Sequence, residues 1–148
     1  MADLVFVTAL GRAAALAALP AANDALVIVP IETTGIVGDA TMRDYATLAD
    51  LLAGPSNEQT TMGRKVLSGV AVTVNTTSDR VEIDAADVTW IAAAGNPVSA
   101  LVVCYDPDTT TGTDADLIPL SKHDFVLTPD GADVTATITD LIRATSAA

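Results

Sequence analysis

From Gly63 onward the apolar residues of this chain recur at every second position, and that period constrains the fold more than any other feature. Val70, Val72 and Val74 alternate with Ala71 and Thr73, and Val81 and Ile83 alternate with Arg80 and Glu82. Successive side chains of a strand point to opposite faces, so each run predicts a half-buried strand. Asn75-Thr76-Thr77-Ser78-Asp79 between the runs supplies turn residues and predicts a hairpin with a loop of about five residues. Val88 to Ile91 continues as a short strand carrying the only tryptophan, Trp90, and Gly95-Asn96-Pro97 turns the chain again. The continuous apolar run Ala100 to Tyr105 predicts a strand buried on both faces. Leu117 to Leu120 and Phe125 to Leu127 read as brief strands, and Thr128-Pro129-Asp130-Gly131 as a turn. Val134, Ala136 and Ile138 alternate with threonines as a last half-buried strand. The Val, Ile and Leu between Val66 and Ile138 are the expected core. Short strands with a turn roughly every 8–12 residues point to a mainly β (α+β) fold, an antiparallel β-sandwich or barrel-like domain.

The N-terminal part departs from that period. Between Asp3 and Leu19, the alanines at 13–15, 17 and 18 favour helix, while Leu4, Val5, Phe6, Val7 and Thr8 favour strand. Residues 1–10 are expected as an N-terminal arm, an apolar extended segment suited to strand addition. Ala25 to Ile36 reads as a strand, with Pro30 placing it at a sheet edge or at a bulge. One packed α-helix is expected over residues 41–53. Thr41-Met42-Arg43-Asp44 has the form of a capping box, with Asp39 and Asp44 at the positive end of the dipole. Met42, Tyr45, Leu48 and Leu52 share a helical face, and Gly54-Pro55 predicts the stop, with the glycine left-handed.

Composition then narrows the class. The 148 residues and 15.0 kDa fit one domain, 1–148. Seven Lys and Arg against 19 Asp and Glu give a formal net charge of −12. Phosphate binding draws on clustered cations, and an anionic membrane surface repels such a chain, so neither nucleic acid nor membrane is an expected partner. The single cysteine, Cys104, excludes an internal disulfide and a CxxC pair, and the single histidine, His123, excludes sites that need two imidazoles. The apolar stretch Leu4 to Ala22 is broken by Gly11, Arg12 and Pro20, and Asp3 stands where a signal peptide carries basic residues.

The residues that carry chemistry elsewhere are present here without their usual partners. Asp106, Asp108, Asp114 and Asp116 place four carboxylates in one loop, the donor type a hard cation takes. The EF-hand spacing is absent, since Thr110 stands at the third ligand position and Gly112 comes one place late. Asp, Thr and Gly are also ordinary turn residues. His123 adjoins Asp124, but neighbours on a strand face opposite ways, and no GxSxG elbow supplies a nucleophile. Cys104 lies in an apolar run without basic neighbours, as an inert thiol does. Glu82, Asp84 and Asp87 read as a solvated strand face, and Gly35-Ile36-Val37-Gly38 is too short for a phosphate loop. No catalytic, cofactor-binding or metal residue is assigned, and no enzyme is expected.

Several segments carry a resemblance. They are Gly11-Arg12 with Leu19 to Leu26 and Asp44 to Leu48; Arg64 to Leu67 with Asp79 to Asp84; Val88-Thr89-Trp90; Leu101 to Asp108 with Asp116 to Leu120; and His123-Asp124-Phe125 with Thr128 to Gly131. Over roughly residues 10 to 142 the chain resembles small virion structural proteins of tailed bacteriophages, especially those infecting high-GC actinobacteria. It departs from that pattern at residues 12 to 19, where alanines stand in place of β-branched and aromatic residues. The resemblance implies a virion component without enzymatic activity, foremost a capsid decoration (cement) protein. Such a protein binds in many copies to the major capsid protein at the outer surface of the head, as a homo-oligomer such as a trimer, after synthesis in the host cytoplasm. A head-completion or tail structural protein is the alternative within that class. From another class, a Ca²⁺- or carbohydrate-binding β-sandwich would use the loop from Asp106 to Asp116.

Overall fold

The computed structural model describes residues 2–146. Its ten strands among the described residues are β1 (Leu4–Val5), β2 (Ala25–Glu32), β3 (Lys65–Val66), β4 (Ala71–Asn75), β5 (Arg80–Asp84), β6 (Val88–Trp90), β7 (Val98–Asp106), β8 (Ile118–Leu127), β9 (Val134–Ala136) and β10 (Ile142–Thr145). Three short α-helices among the described residues, α1 (Ala13–Ala17), α2 (Asp39–Met42) and α3 (Leu48–Ala53), and one 3-10 turn, Val7–Ala9, fill the gaps of the N-terminal third. All strand pairs are antiparallel, in a five-stranded sheet β1-β8-β7-β2-β3, a three-stranded sheet β10-β5-β4 and the pair β6-β9. The fold is mainly β and sandwich-like, as the period-two pattern predicts.

The core forms around β2 and β7, which are buried on both faces. Leu26, Val29, Ile31, Val98, Ala100, Val102 and Cys104 all have 0 % exposure, and the core extends from them to Ile83, Trp90 and Leu141 of the smaller sheets. Trp90 lies 6.4 Å from Phe125, ring centroid to centroid, and donates its indole N–H to the Gly63 carbonyl. The aromatic ring thus fills core volume while its one polar atom stays satisfied.

Pro30 does not place β2 at an edge. It lies opposite Leu101 of β7, and its carbonyl accepts the Gln59 N–H on the other side. The missing proline N–H therefore falls where β3 has ended, and the β2–β7 ladder loses no rung. A bulge follows at Ile31/Glu32, and the strand stops at Glu32, short of Ile36.

The single helix expected over residues 41–53 is two helices. Residues 43–47 leave the helical path, and backbone groups on either side of the break bond the rest of the domain. Arg43 O accepts the Val7 N–H, and Leu48 and Ala49 donate to Leu117 and Asp114. The capping box lies at Thr47 and Asp50 rather than Thr41 and Asp44, with both reciprocal bonds at 3.1 Å. Met42, Leu48 and Leu51 are fully buried, with Leu52 at the margin. Gly54 is not left-handed (φ −76°); glycine fits there because a Cβ would lie 3.0 Å from the Tyr45 hydroxyl.

Three further expectations are corrected. The first residues are no free arm: β1 pairs with Ser121 and Lys122 of β8, and Phe6 is completely buried. Met1, the first position of that expected arm, lies outside the described residues. The two brief strands after residue 117 are one ten-residue strand, β8, which runs through the polar Ser121-Lys122-His123. Finally, Val66, Val72 and Val74 do not reach the core; they are 62 %, 36 % and 70 % exposed. In each case the local pattern is obeyed, and the neighbour that decides burial is distant in sequence.

Candidate functional site

Polar side chains gather at two places, the Asp-rich loop after β7 and the middle of β8. In the loop each carboxylate bonds groups of its own turn or a nearby cation. Asp106 accepts the Asp108 N–H; Asp108 accepts the Thr110 N–H and the hydroxyls of Thr110 and Thr111; Asp116 accepts the Thr113 N–H and hydroxyl. These donors hold Asp108 at about 2 and lower Asp116. Asp114 instead faces away, onto Arg64 at 2.6 Å, and Arg64 also forks onto Glu58. The four carboxylates do not converge, and no cluster of three metal-competent side chains occurs among the described residues. Their arrangement is that of turn residues neutralising backbone donors.

Strand β8 carries two clusters on its two faces, as its period requires. On one face the Lys122 ammonium is fully buried, between Asp39 Oδ1 at 2.9 Å and Asp124 Oδ1 at 2.8 Å. Burial works against this cation, but the bonds and charges of Asp124 and Asp39 outweigh it and raise its pKa. Asp39 also accepts the Ala2 N–H at 2.8 Å, which with Lys122 lowers its own pKa. The cluster therefore ties the chain start and the first turn of α2 to β8.

On the opposite face, His123 Nε2 lies 2.9 Å from Ser121 Oγ, and Asp3 Oδ2 lies 3.7 Å from His123 Nδ1. The expected mismatch between His123 and Asp124 holds, since Asp124 bonds Lys122 instead. The carboxylate beside the imidazole is Asp3, whose other oxygen accepts the Asp124 N–H at 2.7 Å. Ser, His and Asp are thus neighbours, but Ser121 is only 1 % exposed, with β1 and β7 on either side. A nucleophile must reach its substrate, and this hydroxyl is covered. Burial lowers the His123 pKa despite the Asp3 charge, which leaves a neutral ring at pH 7. Nothing in the local sequence marks Asp3, because more than a hundred residues separate it from His123.

A groove of about 440 Å³ runs beside this cluster, lined by Asp3, Leu4, Val5, His123 and the segment Thr139 to Arg143. A cavity of about 300 Å³ adjoins it and reaches Leu101 and Phe125. The polar groups on its walls are mostly occupied by one another, with Asp140 bonded to Arg143 and Asp3 to β8.

The remaining residues of chemical interest are separate. Burial pushes the Cys104 thiol far above its ordinary pKa. Glu82 bonds Arg80, Asp84 accepts the Ala85 N–H, and Asp87 accepts the Ile138 N–H, so the three carboxylates serve three different partners. Gly35 has φ +79°, and a Cβ there would meet the Pro55 carbonyl at 2.2 Å, so this glycine answers a close backbone approach. Comparison with protein-family models, with curated proteins and with solved structures gives no match.

Proposed function

We propose that the chain is a structural component of a virion without enzymatic activity, foremost a multi-copy capsid decoration protein that stabilises the head shell. The reading starts from the segments that resemble phage virion proteins. One observation supports it above the others: among the described residues, the carboxylates of the Asp-rich loop and the Lys122 cluster of β8 are taken up by their own neighbours. Carboxylates cap turns, Lys122 is held between two aspartates, and the Ser121 hydroxyl is covered. Function is then left to the surface, where shape and charge act. A protein of net charge −12 on the outer face of a shell has no packaged nucleic acid to contact, and its partner is the major capsid protein. Binding only to the intact shell shifts the equilibrium from ruptured toward closed by mass action, and many equivalent copies multiply the effect. Such a homo-oligomer is made in the host cytoplasm and ends on the outer capsid surface.

Copy number tests this directly. Quantitative mass spectrometry of purified particles should find the chain in hundreds of copies, and particles that lack it should rupture at lower temperature. About a dozen copies would sink decoration in favour of a head-completion or tail role, and absence from particles would end the virion reading.

A further inference from the structure

The face of the five-stranded sheet that carries His123 is not fully covered. Leu101 of β7 and His123 of β8 are directly opposed and share that face, with Ile28 and Phe125 beside them. The segment between β9 and β10 passes over it and is pinned at both ends. The Ile138 N–H bonds Asp87, and the Leu141 N–H bonds the Ile83 carbonyl. With its ends held there, the segment spans the sheet face and leaves the cavity of about 300 Å³ beneath it. Ile28, Leu101 and Leu141 are buried and, with Phe125 and Ile138, make its inner wall apolar.

Asp3 and His123 line both this cavity and the groove of about 440 Å³ outside it. Each is fixed through one atom and leaves another free. Asp3 Oδ1 accepts the Asp124 N–H, and His123 Nε2 is engaged with Ser121 Oγ. Asp3 Oδ2 and His123 Nδ1 lie 3.7 Å apart, too far to bond each other, and neither has another hydrogen bond among the described residues. With the ring proton on Nε2, donated to Ser121 Oγ, both free atoms are acceptors. A single nitrogen donor about 2.9 Å from each closes that gap.

Charge decides the kind of donor. His123 is neutral at pH 7, and Arg143, the cation that lines the groove, is bonded to Asp140. Among the described residues the Asp3 carboxylate therefore has no cation paired with it, in a chain of net charge −12. Such a mouth repels anions and draws cations. A hydroxyl answers one acceptor with its one proton, whereas an ammonium answers both and supplies the missing charge. A bare metal ion fits less well. It would leave the apolar wall unfilled, and no set of three metal-competent side chains converges among the described residues.

We propose that this cavity binds a small primary amine with an apolar body, the ammonium donating to Asp3 Oδ2 and His123 Nδ1 and the body lying against Leu101, Phe125 and Ile138. The volume stands at the small end of ligand cavities and suits a molecule the size of an arylalkylamine. Both acceptors are held in place before the ligand arrives, Asp3 by β8 and His123 by Ser121, so little ordering is left to offset binding. The inference concerns the chain alone and does not rest on the virion reading.

Titration of the full-length chain with phenethylamine at pH 7, followed by NMR, tests it. His123 is the only histidine, so its ring protons report on the site without overlap. They should shift and saturate with a Kd of about 1 mM or tighter. Phenylethanol has nearly the same shape without the charge, phenylpropionate carries the opposite charge, and ethylamine lacks the apolar body. Each should bind about tenfold more weakly or worse, and this series needs no variant to fold. Asp3→Asn keeps an oxygen for the Asp124 N–H but removes the charge, and should weaken phenethylamine about tenfold or more. No saturable shift up to about 10 mM, equal affinity for phenylethanol, or an Asp3→Asn chain that binds as tightly as the wild type would each overturn the proposal.

Discussion

Lys122 shows how a single residue is decided by partners far away in the chain. An ammonium with no exposed surface is costly unless both charge and hydrogen bonds are answered, and here Asp39 and Asp124 answer them. Removing both countercharges should therefore cost far more than removing the cation. Asp39→Asn with Asp124→Asn is expected to lose about 3–5 kcal/mol in urea unfolding, more than the two single changes added together. Lys122→Met should lose less, because the carboxylates it frees are 30 % and 33 % exposed and can turn to water. His123 on the other face gives a pH dependence. Burial holds its folded pKa below the ordinary 6.5, so the unfolded chain binds the proton more readily and stability falls as pH drops through about 6.5. Asp3 is the charged group beside it, Asp140 and Arg143 line the same groove, and Lys122 and Asp124 act on it from the other face of the strand. Urea midpoints between pH 7 and pH 5 should decline for the wild type and stay flatter for His123→Gln. Below about pH 4 the lowered carboxyl of Asp39 adds a second loss of the same sign, as the ion pair to Lys122 is protonated away.

At the scale of elements, the two capping-box candidates separate local pattern from what the fold uses. Thr41-Met42-Arg43-Asp44 and Thr47-Leu48-Ala49-Asp50 both offer a hydroxyl and a carboxylate three residues apart, but only the second makes both bonds. Thr47→Ala should thus cost about 1 kcal/mol in a thermal melt, while Thr41→Ala should stay within about 0.5 kcal/mol. A larger loss from Thr41→Ala than from Thr47→Ala would mean that residues 41–53 behave as one helix capped at Thr41. Where sequence and structure agree, the signal is a property of one segment: the run of residues 100–105 is buried on both faces, and residues 71–75 and 80–84 form a hairpin. Where they part, the deciding contact is remote. Polar Ser121-Lys122-His123 looks like a break between strands until Asp39 and Asp3 are brought beside it. The N-terminal residues look like an arm until β8 pairs with them. Val72 and Val74 have the alternation of core residues, but alternation only says that they share a face and not that a layer covers that face. The candidate site was less legible than the fold for the same reason, since Asp3 and His123 are joined only by the β1–β8 pairing.

At the scale of the whole molecule the charge dominates. Of the seven cationic residues, Arg64, Arg80, Lys122 and Arg143 are committed to carboxylate partners, so most of the 19 acidic groups have no cation beside them. A compact domain of net charge −12 repels itself, and unfolding relieves that repulsion. Ion pairs oppose the trend, because salt weakens them too. The two effects are screened differently. Repulsion acts across the exposed surface over distances beyond the Debye length of about 8 Å at 0.15 M salt. The Lys122 pairs act over less than 3 Å, and their cation is buried. Screening should therefore remove more repulsion than attraction. The melting temperature is expected to rise by about 2–4 °C between 10 mM and 150 mM sodium chloride, which corresponds to about 1 kcal/mol for a domain of this size. Chloride serves the test better than sulfate, which strengthens apolar burial on its own account. The measurement is made at a protein concentration at which the chain sediments as a monomer, because salt also eases the approach of acidic copies and self-association alone raises the melting temperature. A fall in melting temperature for that monomer would show that the short ion pairs outweigh the global field.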